Sequence, residues 1–197
     1  MTMQLPLAGI DAIPSHAHRL FFALYPDADA AAHIERVARH LRSTHRLRGS
    51  PLAAERFHVT LHFLGDYLGV PRNIVAAADE AAATVVTPPF EVSFDRASSF
   101  GRSRNLPFVL RASDDVAALM SFHGTLGTAM TKAGLGRYVN AVYTPHVTLL
   151  YDDRCVAEEP VDAIAWTVRE FVLIDSLIGQ GRHVPLARWP LRDLAPC

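Results

Sequence analysis

Lysine is almost absent from this chain. It occurs once, at Lys132, and arginine supplies the remaining positive charge. A biased genomic base composition produces such a pattern, and so does a use for forked guanidinium donors on phosphate. A positive excess is lacking too: net charge is −1 over 197 residues, with a pI near 6.8. That balance argues against a protein that coats long nucleic acid, while leaving room for a site that grips one phosphate or one RNA end. Cysteine is confined to Cys155 and Cys197 with no CxxC spacing, which disfavours a disulfide framework or a Cys-based zinc site. No apolar run approaches the roughly eighteen residues of a membrane span. Residues 1–18 lack a basic start followed by a sustained apolar core, so they make a poor signal peptide. They are expected to form a mobile lead-in, His16 and His18 included, and the expected location is the cytoplasm.

What is present suits a globular core: 50% of residues are hydrophobic and 20% are charged. The aromatic stretch 19–25 reads as a buried strand stopped by Pro26. Asp27 and Asp29 open a helix with Ala30, Ala31, Ile34, Val37, Ala38 and Leu41 at helical spacing. Further strands are expected over 56–64, 90–99, 106–112, 146–151, 167–178 and 183–190, and further helices over about 71–86 and 114–133. Seven strands and three helices, neither alternating steadily nor all-β, define an α+β class. No linker divides residues 19–197, which are expected to form a single domain.

One tetrapeptide, His-Val-Thr-Leu, occurs twice, at 58–61 and 146–149, each time on an expected strand that follows a helix. By composition a given tetrapeptide of these residues is expected roughly 0.005 times, so two copies suggest an internal duplication. Strand alternation sends Val59 and Leu61 into a core and turns His58 and Thr60 outward together, about 7 Å apart. Val147, Leu149, His146 and Thr148 repeat the arrangement. Two such clamps in one site suit phosphodiester cleavage. A neutral imidazole takes a proton from water, a charged one gives a proton to a leaving oxygen, and the hydroxyls donate to the phosphate oxygens. The competing reading of each motif alone is a half-buried His and a Thr that simply favours strands. Zinc is a second alternative, but no third ligand is anchored by spacing. His62, expected on the same face as His58, is an exposed strand residue in one reading and a cleft-lining group or third ligand in another. No cofactor and no metal is expected. His33, His40, His45 and His123 receive no role.

These motifs resemble those of the two-histidine (2H) phosphoesterase superfamily, and most closely its RNA 2′,3′-cyclic phosphodiesterase, or 2′-5′ RNA ligase, branch. The resemblance runs from about Arg19 to Leu191. It rests on RLFFALYPD, RFHVTLHFLGD, PFVLRAS, YTPHVTLLYD and GRHVPLARWPL. His183, in the last of these, stands where many relatives carry an aromatic. The resemblance implies two pseudo-symmetric lobes, each an antiparallel sheet backed by helices, with a central cleft. It implies catalytic roles for His58, Thr60, His146 and Thr148. His58 is assigned here as acid and His146 as base, an order that the two identical motifs leave open. The implied substrates are RNA or oligonucleotide ends carrying a 2′,3′-cyclic phosphate, opened to 2′-phosphates. A small cyclic nucleotide or ADP-ribose cyclic phosphate is the alternative substrate, and a non-catalytic nucleotide-binding module is a third reading. Arg102, Arg104 and Arg182 are candidate substrate contacts or ordinary surface arginines. No membrane association and no obligate protein partner are expected.

Overall fold

The computed structural model describes residues 17–101, 104–112 and 116–193. In chain order the elements are β1 (His18–Leu24), α1 (Ala28–Thr44), β2 (Val59–Tyr67), α2 (Arg72–Ala83), β3 (Phe90–Ser99), β4 (Leu106–Arg111), α3 (Ala117–Met130), β5 (His146–Asp152), β6 (Glu159–Val168), β7 (Glu170–Leu177) and β8 (Arg182–Pro190). The strands form one antiparallel sheet in the order β6-β3-β4-β5-β2-β1-β7-β8. It divides into two halves of four strands, and among the described residues the halves meet in register only where Val59 pairs with Val147. Each half contains a strand–helix–strand unit, β1–α1–β2 in one and β4–α3–β5 in the other. The helices bind the halves together beneath that narrow seam. Helix α1 lies against β5 and β6, and α3 lies against β2 and β3. No helix among the described residues is long and apolar enough to cross a membrane.

Local sequence explains the main elements. Asp27 caps α1 by accepting from the Ala30 backbone N–H at 2.9 Å, and Ala30, Ile34, Ala38 and Leu41 bury one face of the helix. Strand β1 alternates. Leu20, Phe22 and Leu24 enter the large core under the helices. Phe21 and Ala23 join Val172 and Ile174 in a smaller apolar patch on the opposite face, against which Tyr25 packs. The first strand starts at His18, inside the stretch expected as a lead-in. His18 Nδ1 lies 2.8 Å from Asp175 of β7. The remainder of that expectation, residues 1–16, lies outside the described residues.

Two expectations need correction. The described residues form eight strands where seven were expected: the strand expected over 167–178 is β7, and β6, over Glu159–Val168, was not anticipated. Strand β6 contains Pro160 and sits at the sheet edge, the position that tolerates a missing N–H. His62 does not share the face of His58 and Thr60. Thr60 pairs with Ala23 and His62 with Phe22, so Leu61 is an extra residue and the bulge reverses the alternation beyond it. His62 is 2% exposed. Its ring stacks on His123 of α3 at 4.0 Å, and its Nε2–H donates to the His123 carbonyl at 3.0 Å.

Candidate active site

The seam between the half-sheets organises the site. Val59 and Val147 are fully buried and directly opposed in an antiparallel pairing. Antiparallel order then sets His58 beside Thr148 and Thr60 beside His146, all on the face away from the buried valines. The two histidines stand at opposite corners of this quartet. Diagonal neighbours of this kind lie about 7–8 Å apart, a span suited to a phosphate held by hydrogen bonds on both sides.

Both imidazoles are set by the same local device. His58 Nδ1 lies 2.7 Å from the Arg56 carbonyl, and His146 Nδ1 lies 2.8 Å from the Thr144 carbonyl. Each carbonyl belongs to the residue two positions earlier. A carbonyl only accepts, so each Nδ1 carries a proton and each Nε2 is left for chemistry. Burial pushes His58 down to about 4, with the charges of His183, His146 and Arg56 acting in the same direction and the Arg56 carbonyl opposing them. Burial also lowers His146, helped by Arg111 and opposed by the Thr144 carbonyl. Both shifts favour the neutral ring in the free protein. An anionic phosphate between them would favour the charged form of either.

Aromatic and cationic groups wall the quartet. Phe21 stacks on His58 at 5.0 Å, and His183 meets His58 edge-on at 5.0 Å. His183 belongs to β8, three strands away from β2, so this half-sheet curls over its own face. The Tyr25 hydroxyl lies 3.1 Å from His183 Nδ1. On the other side, Phe100 meets His146 edge-on at 5.0 Å. Arg111 pairs with His146 in register, lies over the Phe100 ring at 5.3 Å and bonds Glu158 at 2.8 Å. A cavity of about 660 Å³ opens beside His146 and Thr60, lined further by Phe63, Phe100, Tyr138 and Tyr143.

Of the candidate arginines, Arg102 lies outside the described residues. Arg104 is exposed in the turn between β3 and β4, and Arg182 is exposed at the start of β8 beside His183. Sequence reasoning missed Phe21, Arg56, Phe100 and Arg111. The first and third come to the histidines through sheet curvature and loop packing. Arg56 offered one signal, its place two residues before His58. Among the described residues no group of three or more His, Cys, Asp or Glu side chains is placed to hold a metal ion.

Two antiparallel half-sheets closing on paired His-Val-Thr-Leu strands is the architecture of a two-histidine phosphoesterase. The family model described as the 2′-5′ RNA ligase superfamily matches residues 25–179, and the chain belongs to that superfamily. It is 32% identical over 183 residues to the RNA 2′,3′-cyclic phosphodiesterase of Escherichia coli strain K12, covering 90% of this chain and 98% of the relative. The crystal structure of E. coli LigT complexed with 3′-AMP superposes with a TM-score of 0.66 at 29% identity, covering 90% of this chain and 99% of that one. A Thermus thermophilus protein, TT0787, shares the fold at a TM-score of 0.68 and 19% identity, over 89% of this chain and 98% of that one.

Proposed function

We propose that this protein hydrolyses the 2′,3′-cyclic phosphate ends of RNA and oligonucleotides to 2′-phosphates, without a metal ion, through the His58/His146 pair. The observation that carries the reading is the diagonal quartet with both Nε2 atoms left free by backbone-held Nδ1 atoms. The curated relative's name and the LigT complex with 3′-AMP support this substrate class. A single two-lobed unit over residues 19–197 carries the activity, and the cytoplasm is its proposed location.

The chemistry follows from the site. The cyclic phosphate sits between the imidazoles, and its negative charge raises the pKa of the ring that serves as acid. His146 Nε2 takes a proton from water as the water oxygen bonds to phosphorus. The P–O3′ bond breaks, and the 3′-oxygen takes the proton from His58 Nε2. The products are a 2′-phosphomonoester and a free 3′-hydroxyl. Thr60 and Thr148 donate to the non-bridging oxygens, where charge builds in the transition state.

The test is to incubate purified protein with an RNA ending in a 2′,3′-cyclic phosphate and identify products by mass and by nuclease mapping. Conversion to the 2′-phosphate, unchanged by EDTA, is expected. No turnover of any cyclic-ended RNA, or loss with EDTA and rescue by zinc, would overturn the reading.

A further inference from the structure

A second cavity, of about 860 Å³, opens on the side of His58 away from β5, where β7 and β8 form the outer strands of the half-sheet. His183 links it to the quartet, because its ring touches His58 and also lines this cavity. Four arginines line it: Arg56, Arg169, Arg182 and Arg188. Three acids do so as well, and two of them are already engaged. Glu170 is bonded by Arg188, and Asp27 caps α1, where its charge meets the helix N-terminus. That leaves Arg56, Arg169 and Arg182 against Glu55. Arg169 and Arg182 are exposed and have no ion-pair partner among the described residues. The Nε of Arg56 is buried without a hydrogen-bond partner, a costly state that an anionic ligand would relieve.

The cavity on the His146 side is different in kind. Its lining is aromatic, and its one arginine, Arg137, is occupied: it lies over the Tyr138 ring at 4.6 Å and donates to the Tyr138 hydroxyl at 2.5 Å. The chain as a whole is slightly acidic at −1, so attraction for a polyanion must come from a local patch. Of the two cavities beside the histidines, it is the one on the His58 side that carries arginines, Arg169 and Arg182, exposed and without ion-pair partners among the described residues.

Building on the proposed reaction, we infer that the Arg56–Arg169–Arg182 cavity holds the sugar–phosphate chain upstream of the cyclic end. It thereby makes oligonucleotides better substrates than cyclic mononucleotides. The volume accommodates a nucleotide-sized ligand with room to spare, and guanidinium forks suit phosphodiester oxygens. This placement also agrees with the proton roles. In an in-line displacement the ribose and its leaving oxygen lie on the acid's side and water enters from the other, so a chain leaving past His183 puts the ribose at His58.

The experiment compares kcat/KM for a cyclic-ended tetranucleotide and a 2′,3′-cyclic mononucleotide across a salt series. It uses the native protein, the double variant R169A/R182A and, separately, R137A. In parallel, a fluorescent oligonucleotide ending in a 2′-phosphate is titrated by anisotropy. The native protein is expected to prefer the tetranucleotide, and that preference should decay with salt, with a log–log slope of about −0.7 for each neutralised phosphate. In the double variant the preference should fall about tenfold, the slope should flatten, and anisotropy binding should weaken to match. An unchanged preference and unchanged binding overturn the inference, as does a larger loss in R137A. If neither substrate is turned over, the proposed reaction fails and the anisotropy arm alone decides the cavity: weakened binding in the double variant supports it, and equal binding rejects it.

Discussion

Val59 and Val147, the second residues of the two repeated tetrapeptides, face each other directly across the one register pair that joins the half-sheets among the described residues. The two tetrapeptides therefore meet at this point, and each motif's histidine comes to stand beside the other motif's threonine. Both valines are fully buried over the helices that brace the seam. The same pair thus fixes the lateral spacing of the quartet and closes the core beneath it.

Removing members of the quartet should cost rate in proportion to what each does. His58→Ala and His146→Ala should each lower kcat on a cyclic-ended RNA by roughly 10²–10⁴, the range for a positioned acid or base. Thr60→Val and Thr148→Val, which keep the strand shape, should cost roughly 10²–10³ at most, as for a lost oxyanion donor. Steady-state kinetics on the four variants checks this, with thermal melts to confirm folding. Near-native rates in both histidine variants would remove the quartet from the reaction.

The pH–rate profile should carry the sign of the burial shifts. One imidazole must be neutral and the other charged, so both kcat and kcat/KM should be bell-shaped. The limbs report the pair and not individual rings. In the free protein, burial holds His58 at about 4 and lowers His146 below its ordinary 6.5. Because kcat/KM reports the free enzyme, its maximum should fall on the acid side of pH 6.5. In kcat the bound phosphate anion favours imidazolium, so both limbs should move to higher pH. A kcat/KM maximum above pH 7, or a kcat profile displaced to lower pH, contradicts this electrostatic account.

Much of this arrangement was legible in the residues. Alternation placed Val59 and Val147 inside and the His/Thr pairs outside, and Asp27 with its apolar i, i+4 series gave α1 its start and buried face. What stayed hidden depends on partners that a single strand does not display. The bulge at Leu61 exists only in relation to Phe22 of β1, so alternation alone set His62 on the wrong face. Strand β6 carries Pro160 near its start, a residue that argues against a strand unless it lies at an edge, and its edge position beside β3 shows only in the sheet order. The contact of His183 with His58 arises from the curl of a four-strand half-sheet, which no local pattern encodes.

The misplaced His62 has a measurable signature in stability. It stacks on His123, which stacks in turn on Tyr143 at 3.9 Å. His62 Nδ1 and the Tyr143 hydroxyl are buried without partners. Burial lowers His62 and pushes His123 down to about 4, with the charge of His62 adding to the latter. The unfolded chain titrates its histidines near 6.5 and so binds more protons between those values. Stability should accordingly be complete above about pH 6.5 and decline as pH falls toward 4. The melting temperature should drop by roughly 5–10 °C from pH 7.5 to 4.5. His123→Phe, which keeps a ring on Tyr143, should lessen that drop. Equal slopes for native and variant proteins would show that the stack does not titrate with folding.

The order of proton roles can be separated from the existence of the pair. The two tetrapeptides are identical, and both rings are held through Nδ1 with Nε2 free, so local geometry treats them alike. Their surroundings do not: His58 abuts His183, which lines the arginine cavity, whereas His146 abuts Phe100 and Arg111. If the ribose lies on the His58 side, His58 must protonate the leaving oxygen and His146 must activate water. A nitrophenyl phosphodiester provides the test, because nitrophenolate departs without a proton. On that substrate His58→Ala should retain activity within about tenfold of native, while His146→Ala should still lose roughly 10²–10⁴, since water activation is needed whatever the leaving group. The reverse pattern, with His146→Ala rescued and His58→Ala not, exchanges the two roles and moves the leaving ribose to the side of Phe100.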